Sequence, residues 1–194
     1  MKNPIASVKK VGAAMASLLA AGALVASAGL LKNASFESAG SGGDAVAQNW
    51  KLNDPDDHGD AYGSATRESW RAHEGTWIGT IRGKWAEAGD YGGFWQEAEG
   101  AAGTTYRATV QLWADTDWTA EVQEIKIEFW NSDRSEQLSA VTNAIIGAGE
   151  TWTEFSVDGM APEGAAWIRA VIHAGGVGDA GALQIDEFDL DTAL

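Results

Sequence analysis

Glu37 and Asp186 are the acids of this chain whose surroundings point to chemistry. Glu37 closes the segment Asn33, Ala34, Ser35, Phe36, Glu37, and Asp186 lies within Gln184, Ile185, Asp186, Glu187, Phe188, Asp189, Leu190. Each carboxylate stands beside apolar residues that alternate as in a strand. Each therefore sits at the edge of a core, where a charge needs a cation or hydrogen-bond donors. The pattern predicts a β-domain whose first and last strands meet around a bound metal ion. The alternative for both acids is a turn cap that faces water.

Other reactive constellations are incomplete. Asp54, Asp56, Asp57, His58, Gly59 and Asp60 begin like a calcium loop, but Ala65 stands where an EF-hand places its bidentate glutamate, so the segment reads as a solvated loop. His58, His73 and His173 are far apart and show no HExxH spacing. There is no Gly-x-Ser-x-Gly elbow and no phosphate loop. A glycoside hydrolase needs two carboxyls facing one another roughly 5 to 10 Å apart, and Glu128 is the one acid on the outward parity of the central strands. The chain reads as a non-catalytic protein.

The elements that must position these residues begin after a leader. Lys2, Lys9 and Lys10 precede the apolar run Val11 to Val25, and Ala26, Ser27, Ala28 supply small residues for a signal peptidase. An apolar run of about 15 residues is short of the roughly 20 that span hydrocarbon, so export and cleavage after Ala28 are expected, with no membrane attachment afterwards. Without cysteine the chain has neither a lipid-modified N-terminus nor a disulfide. Residues 29–194 are long enough for one domain with a full core. The whole chain carries a net charge of −15, and losing three lysines makes the mature part more acidic still. Such a surface repels nucleic acid and anionic lipid, and leaves neutral ligands or Ca²⁺ as natural partners.

Apolar residues recur with period two. Trp77, Gly79, Ile81; Tyr106, Ala108, Val110, Leu112; Ile125, Ile127, Phe129; and Ile168, Ala170, Ile172 each form one core face of a strand. Glycine-rich stretches separate the runs, and no mature segment of ten residues shows a helical stripe, although Ala140 to Ile146 could form a turn. Ser38 to Ala47 reads as a long surface loop. The fold class that follows is all-β, a two-sheet antiparallel β-sandwich of jelly-roll type.

Ten tryptophans exceed what such a core needs. Trp77 shares its strand's core face. Trp113, Trp130 and Trp167 have the opposite parity, together with Arg107, Thr109, Gln111, Lys126, Glu128, Arg169 and His173, and should point outward. Trp70, Trp85 and Trp118 lie in or near loops.

Several segments, in this order, resemble the galactose-binding-like β-sandwiches and, within them, carbohydrate-binding modules of the family 4, 9 and 22 type. They are Asn33 to Glu37 followed by Trp50; Ala72 to Gly75; Trp95, Gln96, then Gly103 to Tyr106; Trp152, Thr153; Ala161 to Ala165; and Ile185 to Leu190. The resemblance implies a core role for Trp50. It also implies a structural calcium with Glu37 and Asp186 as side-chain ligands and backbone oxygens near Asn33 and Gly75. Ca²⁺ accepts such mixed carboxylate and carbonyl shells.

In the resembling modules the outward-facing strands build a concave sheet whose groove holds sugar. The resemblance thus implies a secreted or cell-surface protein that binds a polysaccharide or oligosaccharide through Gln111, Trp113, Glu128, Trp130, Arg169 and His173. Indoles stack on the apolar faces of pyranose rings, and Gln, Glu and Arg bond their hydroxyls. The alternative is that Glu128 pairs with Lys126 or Arg169 and the tryptophans only cover the sheet. In that case the chain is a structural or adhesive component of a surface or matrix assembly, with the same sandwich and no sugar site.

Overall fold

The structure, a computed structural model, describes residues 29–52, 63–83 and 91–193. The leader expected over residues 1–28, the cluster Asp54 to Asp60 and Trp85 lie outside these residues. Within them the strands are β1 (Ala39–Gly40), β2 (Gly43–Ala47), β3 (Lys51–Leu52), β4 (Gly63–Glu68), β5 (Ile78–Gly83), β6 (Tyr91–Glu99), β7 (Thr105–Ala114), β8 (Val122–Trp130), β9 (Gln137–Ala144), β10 (Thr153–Met160), β11 (Trp167–Gly175) and β12 (Ala182–Thr192). They form two five-stranded antiparallel sheets. The first has the order β10-β7-β12-β5-β4 and the second β3-β6-β11-β8-β9. Segment 38–47, expected as a loop, is instead the small hairpin β1-β2, and segment 140–146 lies largely in β9.

Alternation sorts the side chains between core and surface. Tyr106, Ala108, Val110 and Leu112 of β7 face Ile125, Ile127 and Phe129 of β8 and Ile168, Ala170 and Ile172 of β11 across the sandwich, all no more than 3% exposed. Each large side chain so buried contributes roughly 1.5–3 kcal/mol.

The last strand needs an adjustment to keep this arrangement. Leu183 and Ile185 share one parity, whereas Phe188 and Leu190 have the other, yet all four are fully buried. Asp186 pairs with Gln111 and Asp189 with Thr109, so three residue steps on β12 oppose two on β7. This β-bulge absorbs one residue at Glu187, whose φ is +46°, and returns the apolar side chains to the core.

An aromatic cluster fills one end of the core. Phe36 stacks on Trp50 at 4.9 Å, Trp50 stacks on Phe188 at 5.2 Å, and Phe94 meets Phe36 edge-on at 5.3 Å. Gly79 makes room for these rings, because a Cβ there would stand 2.8 Å from Phe36. Trp77, expected on the core face of this strand, is not one of these rings. It is half-buried, with the Arg67 guanidinium 3.6 Å from its ring centroid.

Candidate functional site

The outer face of the second sheet carries a strip of aromatic and charged side chains in strand register. Glu97 of β6, Arg169 of β11 and Glu128 of β8 form one cross-strand row, and Glu99, Trp167 and Trp130 form the next. The Arg169 guanidinium lies 3.8 Å from the ring centroid of Trp95 and 4.4 Å from that of Trp130, so the two indoles flank it. Its Nη2 donates to Glu97 Oε2 at 3.1 Å, and Nη1 is 3.6 Å from Glu128 Oε2. Trp130 Nε1 donates to the same Glu128 oxygen at 3.0 Å. Glu97 also accepts from Arg134 Nε at 2.8 Å, and Arg134 covers Trp167 at 3.3 Å. The row thus alternates in charge between flat aromatic surfaces, an order that each strand's two-residue period imposes.

His173 stands further along β11, facing Glu124 and Lys126. Its Nε2 is 3.3 Å from Glu124 Oε1. Burial, reinforced by the Lys126 charge and opposed by Glu124, pushes the imidazole down to about 4, so it is neutral at pH 7.

Gln111 and Trp113 do not join this strip. They lie on β7, in the first sheet, and point outward on the opposite side of the sandwich. The expected single groove is therefore divided, because parity shows only that a side chain faces out, not from which sheet. Trp113 there meets Trp152 edge-on at 6.1 Å and takes Arg71 over its ring at 4.5 Å. Gln111 lines a separate hollow of about 300 Å³ with Thr109, Glu154, Glu187 and Asp189. Trp118, expected near a groove rim, is a core residue at 8% exposure, and its Nε1 donates to Gln123.

Of the four residues expected around calcium, Asn33, Glu37, Gly75 and Asp186, three accept hydrogen bonds within the protein: Glu37 and Asp186 through their carboxylates and Asn33 through its carbonyl. Thr76 N and Trp77 N donate to Glu37 Oε1 at 2.8 and 2.9 Å. His73 N and Glu74 N donate to Asp186 Oδ2 at 2.9 and 3.0 Å, and Glu187 N donates to Oδ1 at 2.8 Å. The Asn33 carbonyl accepts from Trp50 Nε1 and Phe36 N. Gly75 has φ +67°, and a Cβ there would lie 2.2 Å from Glu37 Oε1.

The segment 73–77 thus wraps its amides around two carboxylates from opposite ends of the chain. Of the two ways to satisfy an acid at a core edge, this one uses donors. Among the described residues no three His, Cys, Asp or Glu side chains gather to hold a metal. Glu37 is exposed, as in the water-facing alternative, whereas Asp186 is fully buried. Burial pushes the Asp186 carboxyl up to about 6, against the three amide bonds that lower it.

Arg67 was not singled out by sequence reasoning. It is 4% exposed and donates to the carbonyls of Phe36, Glu37 and Asp44, tying the opening segment and β2 to β4. Its one visible signal was a cation in a short strand.

No protein-family model matches the chain, and no curated protein matches it in sequence. Solved structures do match in fold. The enzymatically active domain of tailspike protein 4 from bacteriophage CBA120 aligns with a TM-score of 0.62 and 13% identity over 85% of this chain, which spans only 21% of that protein. TmCBM61 in complex with β-1,4-galactotriose aligns at 0.53 and 16% identity, covering 86% of this chain and all of that one. The CBM22-1 xylan-binding domain of Paenibacillus barcinonensis Xyn10C aligns at 0.52 and 11% identity, over 81% and 90% of the two chains. Cyclases from Fischerella sp. TAU share the architecture too. The chain is thus a two-sheet antiparallel β-sandwich whose structural neighbours include carbohydrate-binding modules.

Proposed function

We propose that this chain is a non-catalytic carbohydrate-binding domain, and that it takes saccharide on the outer face of its second sheet. The observation that carries the reading is the Arg169 guanidinium flanked by Trp95 and Trp130, with Glu97 and Glu128 at its edges. A pyranose has apolar faces and a polar rim, and this strip offers indoles beside fixed donors and acceptors. The similarity in fold to a module solved with galactotriose, and to a xylan-binding domain, supports the same reading. The expected leader fits a protein that meets its polysaccharide outside the cell.

Isothermal titration with β-1,4-galacto- and xylo-oligosaccharides tests it. Trp130→Ala should weaken the ligand that binds by about thirtyfold, the roughly 2 kcal/mol typical of a lost aromatic anchor. A variant that stays folded and binds like the parent removes this face from consideration.

The second reading is a structural or adhesive surface protein without a sugar site. It is favoured by the mutual pairing of Arg169, Glu97, Glu128 and Arg134, which leaves the strip satisfied by its own residues. A folded protein that retains no saccharide from a broad glycan panel is the outcome expected of it.

A further inference from the structure

Basic side chains are scarce in this acidic chain, and almost all of those described are neutralised at once. Arg71 pairs with Asp115, Arg82 with Glu68, Arg107 with Asp158, Lys126 with Glu124, Arg134 with Glu97, and Arg169 with Glu97 and Glu128. Arg67 is spent on three carbonyls. Lys32 and Lys51 differ, since among the described residues neither ammonium meets a carboxylate. With 28 acidic residues against 13 basic ones, two lysines placed together without a carboxylate partner among the described residues call for an explanation.

Both line one cleft of about 340 Å³ at the β3 edge of the second sheet, with Asn49, Trp95, Gln96 and Glu97. The walls are fixed. Buried Gln96 holds the backbone of Lys32 from both sides, accepting from its N at 2.7 Å and donating to its O at 2.8 Å. Lys51 belongs to β3, which pairs with β6 directly opposite Trp95. The Trp95 indole is pinned by Nε1 donating to the Leu52 carbonyl at 3.2 Å, and Lys51 Nζ lies 4.4 Å from its ring centroid. Glu97, the one acid of the lining, already serves Arg134 and Arg169. The cleft therefore presents two positive charges that meet no carboxylate among the described residues, beside an aromatic wall, and Trp95 is shared with the strip around Arg169.

We propose that this cleft recognises an anionic sugar residue, the carboxylate of a uronic acid or a sulfate ester, within the chain bound along the second sheet. The inference rests on the saccharide-binding reading above and adds its substrate class. The pyranose ring would lie against the Trp95 side of the cleft while its anionic group reaches Lys32 and Lys51. The acidity of the whole protein does not oppose this at physiological salt. There the Debye length is about 8 Å, so a group in the cleft senses these two lysines more than the distant surface.

The test compares oligogalacturonate with its methyl ester, which has the same backbone without the charge, and with neutral galacto-oligosaccharide and a sulfated galactan oligosaccharide, all at 0.15 M ionic strength (about 8 Å screening). The parent should bind the acid about tenfold more tightly than the ester, and Lys32→Gln/Lys51→Gln should erase that preference while leaving the melt and neutral-sugar binding unchanged. A sulfated oligosaccharide that exceeds the uronate, with the same lysine dependence, supports the site with sulfate as its source. Equal binding of acid and ester together with no gain for the sulfated ligand, or a preference that survives in the double variant, overturns the inference and leaves the saccharide reading in place. Binding of none of the four, nor of xylo-oligosaccharide, overturns that reading itself.

Discussion

Arg169 and Glu97 face one another across β11 and β6, their Nη2 and Oε2 atoms 3.1 Å apart, with side chains 16% and 15% exposed. A pair so far removed from solvent stabilises only while both members are present. Glu128, 13% exposed, shares the same guanidinium.

Arg169→Met should therefore destabilise the domain by about 2 kcal/mol, less than the full cost of breaking a buried pair because Arg134 remains on Glu97 and Lys126 on Glu128. Thermal unfolding should show a fall of roughly 5 °C. Glu97→Gln/Arg169→Met should recover part of the loss, because no uncompensated carboxylate stays at that position. A single variant with an unchanged melt would mean that the guanidinium is not held as described.

Acid should weaken the fold through His173. Its folded value, about 4, lies below the ordinary 6.5, so its stabilising contribution is complete above about pH 6.5 and is lost as pH falls toward 4. The loss amounts to at most about 3 kcal/mol. Urea midpoints measured from pH 7 to pH 4 should fall less steeply in His173→Gln than in the parent. Taking the difference between the two cancels the opposite trend expected from Asp186 and the common titration of the surface. Parallel curves would refute the assignment.

Chelation should leave the melting temperature unchanged, since amides of residues 73–77 already hold Glu37 and Asp186. Asp186→Asn should cost about 2 kcal/mol with or without chelator, because its amide group turns a donor toward other donors or leaves one of them unsatisfied. A melt lowered by EDTA in the parent but not in the variant would restore a cation to this place.

How much of this was readable in advance depends on how far apart in the chain the interacting residues are. The period of Ile125, Ile127 and Phe129, and of Ile168, Ala170 and Ile172, fixed their faces, since alternation is a property of one strand. Gln111 has the same outward parity as Glu128, but the two belong to different sheets, and strand order is set by pairings distant in the chain. Asp186 showed that it needed a partner. Besides the adjacent Glu187 amide, its donors come from His73 and Glu74, more than a hundred residues earlier, and no local pattern names those two. Trp118 sits in a polar stretch, so its burial depends on the elements that close over it.

The backbone bonds from Leu30 N to Leu190 O and from Phe188 N to Ala34 O lay the opening segment antiparallel along β12. Residue 30 thus lies beside residue 190, at one end of the sandwich. Tension applied between the two flanks would load these bonds one after another, as in opening a zipper, rather than together in shear. A domain fixed to a surface from one flank and pulled from the other would shed its first segment, and with it Phe36 from the aromatic cluster, before the two main sheets carried the load.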